Sequence, residues 1–310
     1  MKKNYASVIL LFLACWLPQG IALRAQSVGH TGEHCGTDGI YQTQLQQSVT
    51  FRSLESQIER AYQQRLQQLA AHPHARTSGS VRTIPVVVHV IQTSDQVLVT
   101  DARIQSQIDV LNEDFRLLNA DTSNIPAEHR PVAADTEIEF CLATIDPDGC
   151  PTNGIVRIVS ASLANHDMDD AAQLKGLSQW DPYSYLNIWV PVNIQGGTLG
   201  YATFPINLNF APSQDGVVVA SQYFGRGAGV PPSAFNLGRT TTHEVGHWLG
   251  LFHTFQNGCA GTTAATCTTG GDLVCDTPPT ANSNFGCPNT QNTCTETPTD
   301  FNDQTINYMD

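Results

Sequence analysis

"HEVGHWLGLFH", His243 to His253, sets three histidines and a glutamate within one short stretch, with Gly250 between the second and third histidines. On a helix, residues four apart lie on one face a single turn apart, so His243 and His247 project together. Two imidazoles so placed can hold one Zn²⁺, and Glu244 stands beside them to act on water at the metal. Glycine accepts the left-handed conformation that ends a helix, so Gly250 lets the chain turn and bring His253 back as a third ligand. Three protein ligands leave a fourth position for water, the arrangement of a catalytic zinc. The competing reading is an amphipathic helix with incidental polar residues. Five specified positions meet by chance in a chain of this length roughly once in ten thousand, which disfavours it.

Beyond the motif the composition changes. Large apolar residues thin out and Thr, Asn, Gly and Pro accumulate, so disulfides or bound metal must help to order the stretch. Cys259, Cys267, Cys275, Cys287 and Cys294 fall there, an odd set in which one is left over. "GGDLVCDTPPT", 270–280, offers Asp272, Asp276 and the oxygen of Thr277, hard ligands of the kind Ca²⁺ takes from irregular loops. Turn-forming aspartates are the alternative.

Upstream, "VRTIPVVVHVIQ", 81–92, reads as a strand buried on both faces. His89 within it is a core histidine, since a lone imidazole on a strand is a poor ligand set. "DARIQSQIDVLNEDF", 101–115, carries Ile104, Ile108, Leu111 and Phe115 at helical intervals after Thr100, a cap. Further strands are expected at "TEIEFCLATI", "YLNIWVPV" and "DGVVVASQYF". Helices between strands, with another at the histidine motif, make the domain α/β. Cys141 and Cys150 flank "LATIDPDG", whose turn at Pro147-Asp148-Gly149 suggests a local bridge.

At the N-terminus, Lys2 and Lys3 precede an apolar run from Ala6 to Leu17, too short to span a bilayer, and Ala22 and Ala25 offer small-residue cleavage points. This reads as a secretory signal; a lipoprotein reading through Cys15 leaves an unusually short apolar segment. Phe51, Leu54, Ile58, Ala61, Tyr62, Leu66 and Leu69 recur at helical spacing before "HPHARTSGS", 72–80, an exposed linker open to proteases. The expected organisation is a signal peptide over 1–25, a propeptide over 26–80 and a catalytic domain over 81–310. Formal charge is −13 with 41% hydrophobic residues, which gives a sizeable core and no basic stripe for nucleic acid. With no second membrane segment, the expectation is a secreted protein.

"HEVGHWLGLFH" matches the metzincin zinc signature. "HEVGHWLGLFHTFQNGC", "GDLVCDTPP", "FGCPNTQNTC" and "NYMD", in that order, resemble the pappalysin branch, and "TIPVVVHVI", "IDVLNEDF" and "YLNIWV" extend the similarity over about residues 80–310. The resemblance implies a metzincin-like catalytic domain of α/β (α+β) class: a twisted mixed sheet with a backing helix and the zinc helix in an upper part, 81–250, and an irregular disulfide-rich lower part, 251–310. Substrate would lie extended against an edge strand, with "GTLGYATFP", 197–205, as that strand or as a glycine turn. It further implies calcium in the 272–277 region, a Cys259–Cys287 disulfide with Cys275 and Cys294 left open, and Met309 as an apolar floor beneath the metal. The family continues past this turn with a tyrosine, so the expectation at Asp310 is an incomplete lower part. Cys35 in "GEHCGTDG" stands outside the catalytic domain. Its thiolate can fill the fourth zinc position and keep the enzyme latent, Asp38 can do the same through a carboxylate, or Cys35 can pair with a downstream cysteine. The function implied is a secreted zinc endopeptidase acting on protein or peptide substrates, with Glu244 as general base and acid. Its rivals are a zinc-stabilised binding module and a hydrolase of other bonds.

Overall fold

The computed structural model describes residues 34–71, 80–95, 98–263, 266–286, 288 and 290–310. The signal segment, most of the linker and Cys287 lie outside the described residues. Two helices open the chain, α1 (Thr37–Gln47) and α2 (Val49–Ala71). The second contains the amphipathic helix read from the sequence; the first carries no strong apolar stripe and was not anticipated. Then follow β1 (Arg82–Gln92), α3 (Asp101–Phe115), β2 (Ile138–Leu142), β3 (Ile155–Val159), β4 (Asn165–His166), α4 (Ala171–Gly176), β5 (Leu186–Pro191), β6 (Asn193–Ile194), β7 (Gly200–Ala202), α5 (Asn207–Phe210), β8 (Val217–Val219) and α6 (Arg239–Trp248). The Thr100 side chain caps α3 by accepting from the Arg103 N–H.

β1 is the spine of the main sheet, whose order is β2-β1-β5-β8-β7, with β3 following β2 along the same flank of β1. All pairings are parallel except β7 with β8, so β7 is an antiparallel edge strand. β4 and β6 form a separate parallel pair. The β-branched run in β1 is explained by cover on both faces. Val86, Val88 and Val90 join Ile188, Val217 and Val219 beneath Ile104, Ile108 and Leu111 of α3 and Val245 of α6. On the opposite face Ile91, Trp189, Tyr201 and Val218 meet Leu163 and Leu174. His89 is the expected core histidine: fully buried, stacked on Trp189 at 5.0 Å, and bonded through Nε2 to Asn187 Oδ1 at 3.0 Å. Burial pushes its pKa down to about 4. Ile188 is fully enclosed at the sheet centre. Ile188→Ala should therefore cost about 2–5 kcal/mol, read as a lower urea midpoint with an unchanged slope.

After α6 the described residues contain no further helix or strand, only an isolated bridge between Thr263 and Thr297. Disulfides Cys259–Cys294 and Cys267–Cys275 cross-link this part. The first corrects the Cys259–Cys287 pairing. Buried Asp303 takes both the backbone N–H and the hydroxyl of Thr293, and that hydroxyl receives the Ala281 N–H, which presents the adjoining Cys294 to Cys259. The Cys141–Cys150 bridge is also corrected, since both thiols are free and exposed. The turn pairs Asp146 with Cys150 and Thr144 with Thr152, so Cys150 stands level with Asp146 and not with Cys141.

Candidate active site

The zinc helix α6 ends where the sequence says it should. Gly250 has φ +104, the Leu251 N–H donates to Gly246 O at 3.0 Å and the Gly250 N–H donates to His247 O at 2.9 Å. These two bonds are a Schellman closure, and they turn the chain so that His253 returns beside the helix. Gly250→Ala forces a side chain into that conformation and should cost about 1–3 kcal/mol, with a lower melting temperature and weaker metal retention on dialysis.

The three imidazoles converge. His243 Nε2 lies 3.1 Å from the Nε2 atoms of both His247 and His253, and the latter two are 3.3 Å apart. Three corners of a tetrahedron drawn at zinc–nitrogen bond length stand about 3.3 Å apart, so the donor set fits one zinc ion. Each far nitrogen is held by an oxygen: His243 Nδ1 by Tyr308 O, His247 Nδ1 by Leu251 O at 2.7 Å, and His253 Nδ1 by Asp38 Oδ2 at 2.9 Å. Protons on the Nδ1 atoms leave the Nε2 lone pairs turned inward, which is what a metal requires. Burial, followed by the neighbouring imidazoles, pushes His243 down to about 4 and His247 well below its ordinary value, so both rings are neutral donors.

Glu244 is buried beside them. Burial raises its pKa to about 8, against hydrogen bonds from the Thr37 hydroxyl at 3.0 Å and the Cys35 thiol at 3.6 Å. Cys35 Sγ also lies 3.4 Å from His247 Nε2. Among the described residues, Cys35, His243, His247 and His253 are the group of His, Cys, Asp and Glu side chains whose ligand atoms gather closely enough for a metal ion. Burial and the Glu244 charge raise the Cys35 pKa well above its ordinary value.

The N-terminal segment reaches this centre along β7. The Leu199 N–H donates to His34 O at 2.8 Å and the Gly36 N–H to Gly200 O at 3.0 Å, with Cys35 bridged to Gly200 in parallel. The expected edge strand is therefore real, and the chain's own N-terminal segment lies on it. Thr37 was missed by sequence reasoning. Besides reaching Glu244, its hydroxyl accepts the Ala202 N–H at 2.8 Å, tying the general-base candidate to the edge strand. No motif marks that threonine beyond its place two residues after Cys35. Asp38 departs from expectation, because its carboxylate holds the outer nitrogen of His253 and does not face the Nε2 cluster.

Two supports fix the helix. Gln107 and Asp114 of α3 take the Thr241 and Thr242 hydroxyls, and Asp114 also pairs with Arg239. From below, buried Met309 sets its sulfur against Gly246, where a Cβ would overlap it, and its carbonyl accepts the Thr254 N–H. Sequence reasoning found Met309 but not Tyr308, whose carbonyl orients His243. In the Cys267–Cys275 loop, buried Asp272 accepts the Val274 N–H at 3.0 Å, and burial lifts it to about 6 against a Thr277 hydrogen bond, with the Asp276 charge near enough to add to the rise. The Thr277 side chain and the Asp276 charge thus both lie close to the Asp272 carboxylate.

Residues 170–310 match the profile of the family described as pregnancy-associated plasma protein-A. An extracellular metalloprotease of Pyricularia oryzae is 35% identical over 245 residues, covering 78% of this chain and 71% of that protein. One from Colletotrichum graminicola is 32% identical over 234 residues, covering 74% and 68%. Among solved structures, mature mirolysin of Tannerella forsythia in complex with a cleaved peptide matches with TM-score 0.66 and 40% identity, covering 75% of this chain and 84% of that one. A promirolysin mutant from the same organism matches with TM-score 0.69 and 35% identity, covering 90% and 86%. With the three histidines, the glutamate and the methionine turn assembled on this sheet, the chain belongs to the pappalysin metalloproteases, a branch of the metzincin endopeptidases.

Proposed function

We propose that the chain is an exported zinc endopeptidase held latent by its own N-terminal segment. The observation that carries this reading is the meeting of three inward Nε2 atoms, a buried Glu244 and the Cys35 sulfur at one point. Zinc, when bound by His243, His247 and His253, supplies Lewis acidity that polarises a peptide carbonyl and acidifies water. Glu244 takes the proton from the attacking water and later delivers it to the leaving amine. β7 binds the substrate backbone by strand addition, and the Gly200 carbonyl with the N–H of the preceding Leu199, now taken by the N-terminal segment, are the groups it would use.

Latency follows from occupancy. Cys35 fills the fourth ligand position, Thr37 holds Glu244, and residues 34–36 cover the strand on which a substrate would lie. The larger share of this chain matched by the proform of mirolysin than by its mature form, 90% against 75%, supports a propeptide over 26–80. Export is supported by the leader-like residues 1–25 and by relatives named as extracellular; among the described residues no helix is long and apolar enough to cross a membrane. Peptide substrates are supported by the cleaved peptide in the mirolysin structure. Calcium at Asp272, Asp276 and Thr277 is proposed to brace the disulfide loop, whose buried Asp272 carboxylate a cation would hold ionised. Limited proteolysis in the 72–80 linker, followed by assay on a mixed peptide library with and without a zinc chelator, tests the reading. Activity should appear after the cut and vanish on chelation; no cleavage of any peptide would contradict it.

A further inference from the structure

Phe204, Ile206, Phe210 and Phe252 form an apolar recess on the catalytic part, next to the metal centre. The Phe204 ring stands 5.5 Å from that of His247. In the latent chain the recess is filled from the prosegment. Tyr41 meets Phe204 at 5.0 Å and Phe252 at 5.5 Å, both edge to face, and Phe51 closes the outside against Phe210 at 5.1 Å. Tyr41 is 7% exposed and Phe51 fully buried, so this is a built seat for a ring and not a surface contact. The Tyr41 hydroxyl turns to Glu55 of the prosegment itself, so what the catalytic wall reads is the aromatic face and edge. Loss of the prosegment takes the Tyr41 and Phe51 rings away from this apolar wall at the end of the edge strand, and an uncovered apolar patch of this sort marks a binding site.

We propose that this recess is a substrate subsite for an aromatic side chain about three residues N-terminal to the scissile bond, an inference that rests on the peptide-hydrolase reading above. Phe204 stands between Tyr41 and His247, 5.0 Å from one ring and 5.5 Å from the other, which places the two rings within about 10 Å of each other. Extended chain covers that distance in about three residues. Direction follows from β7, which runs from Gly200 through Ala202 towards Phe204. A substrate added in the more stable antiparallel sense enters at the Phe204 end and reaches Gly200 at the metal, which puts the recess upstream of the cleaved bond. The prosegment runs the other way, parallel to β7, and fills the recess with residues that follow Cys35.

The test uses the full chain matured by linker cleavage and freed of its prosegment. Peptides identical except at one position carry Ala, Leu, Tyr or Phe at each of four positions upstream and two downstream of the cut. Burial of one ring predicts that Phe exceeds Ala in kcat/KM by roughly tenfold or more at the third upstream position or its neighbour, with Tyr no better than Phe. Equal cleavage of Phe and Ala peptides at every upstream position, or an advantage confined to the downstream side, would overturn the subsite while leaving the hydrolase intact. If no peptide is cut at all, the hydrolase reading falls and takes the subsite with it.

Discussion

Glu244→Gln in the matured chain is expected to lower peptide hydrolysis by about 10²- to 10⁴-fold while zinc remains bound at one ion per chain. The amide keeps the size of the carboxylate and can still accept the Thr37 hydroxyl, so the N-terminal segment should dock on the latent form as before. What it loses is the capacity to take a proton from water and return it to the leaving amine. None of the three converging Nε2 atoms belongs to residue 244, and each ring is oriented by an oxygen elsewhere, so the metal site does not depend on this side chain. Steady-state rates with a metal assay on the same sample check both halves. Near-normal turnover at full metal content would mean that another group moves the proton.

Cys35→Ala should raise activity before linker cleavage, or the rate of self-activation, on the order of 10- to 100-fold, the worth of one charge-assisted contact. The change should fall short of full activity. Thr37 remains on Glu244, Asp38 on His253, the backbone of residues 34–36 on β7, and the Tyr41 and Phe51 rings stay buried. The alternative in which Cys35 pairs with a downstream cysteine draws no support from the described residues, where its thiol lies against Glu244 and His247 and Cys259, Cys267, Cys275 and Cys294 are paired among themselves, while Cys287 lies outside them. A time course of peptide cleavage by the two zymogens, started without added protease, decides it. Identical lag and background would show that the cysteine contributes nothing to latency.

How much of this could be read from the chain depended on the range of the interactions. Helical spacing at His243 and His247, the stop at Gly250 and the uninterrupted apolar run in β1 are local signals, and the elements they announce are present. β3 was missed because its burial is only partial and its pairing with β1 depends on residues far away in sequence. Cysteine pairing failed for the same reason. A turn at Asp146 shifts Cys150 out of reach of Cys141, and the Asp303 clamp on Thr293 selects Cys294 for Cys259. Asp38 was legible as a residue of interest but not in its role, which depends on the face of the His253 ring it meets. Thr37, Tyr308 and the Tyr41 seat carry no sequence pattern, because each acts through a contact made only in the assembled fold.

The most direct measurement is zinc-edge X-ray absorption on the latent chain and on the same sample after linker cleavage and removal of the prosegment. Three imidazole nitrogens at about 2.0–2.1 Å and one sulfur at about 2.3 Å are expected before cleavage, and the same nitrogens with the sulfur replaced by an oxygen donor afterwards. A latent form without sulfur at the metal, or a sulfur that persists in the fully active enzyme, would contradict that exchange of ligands.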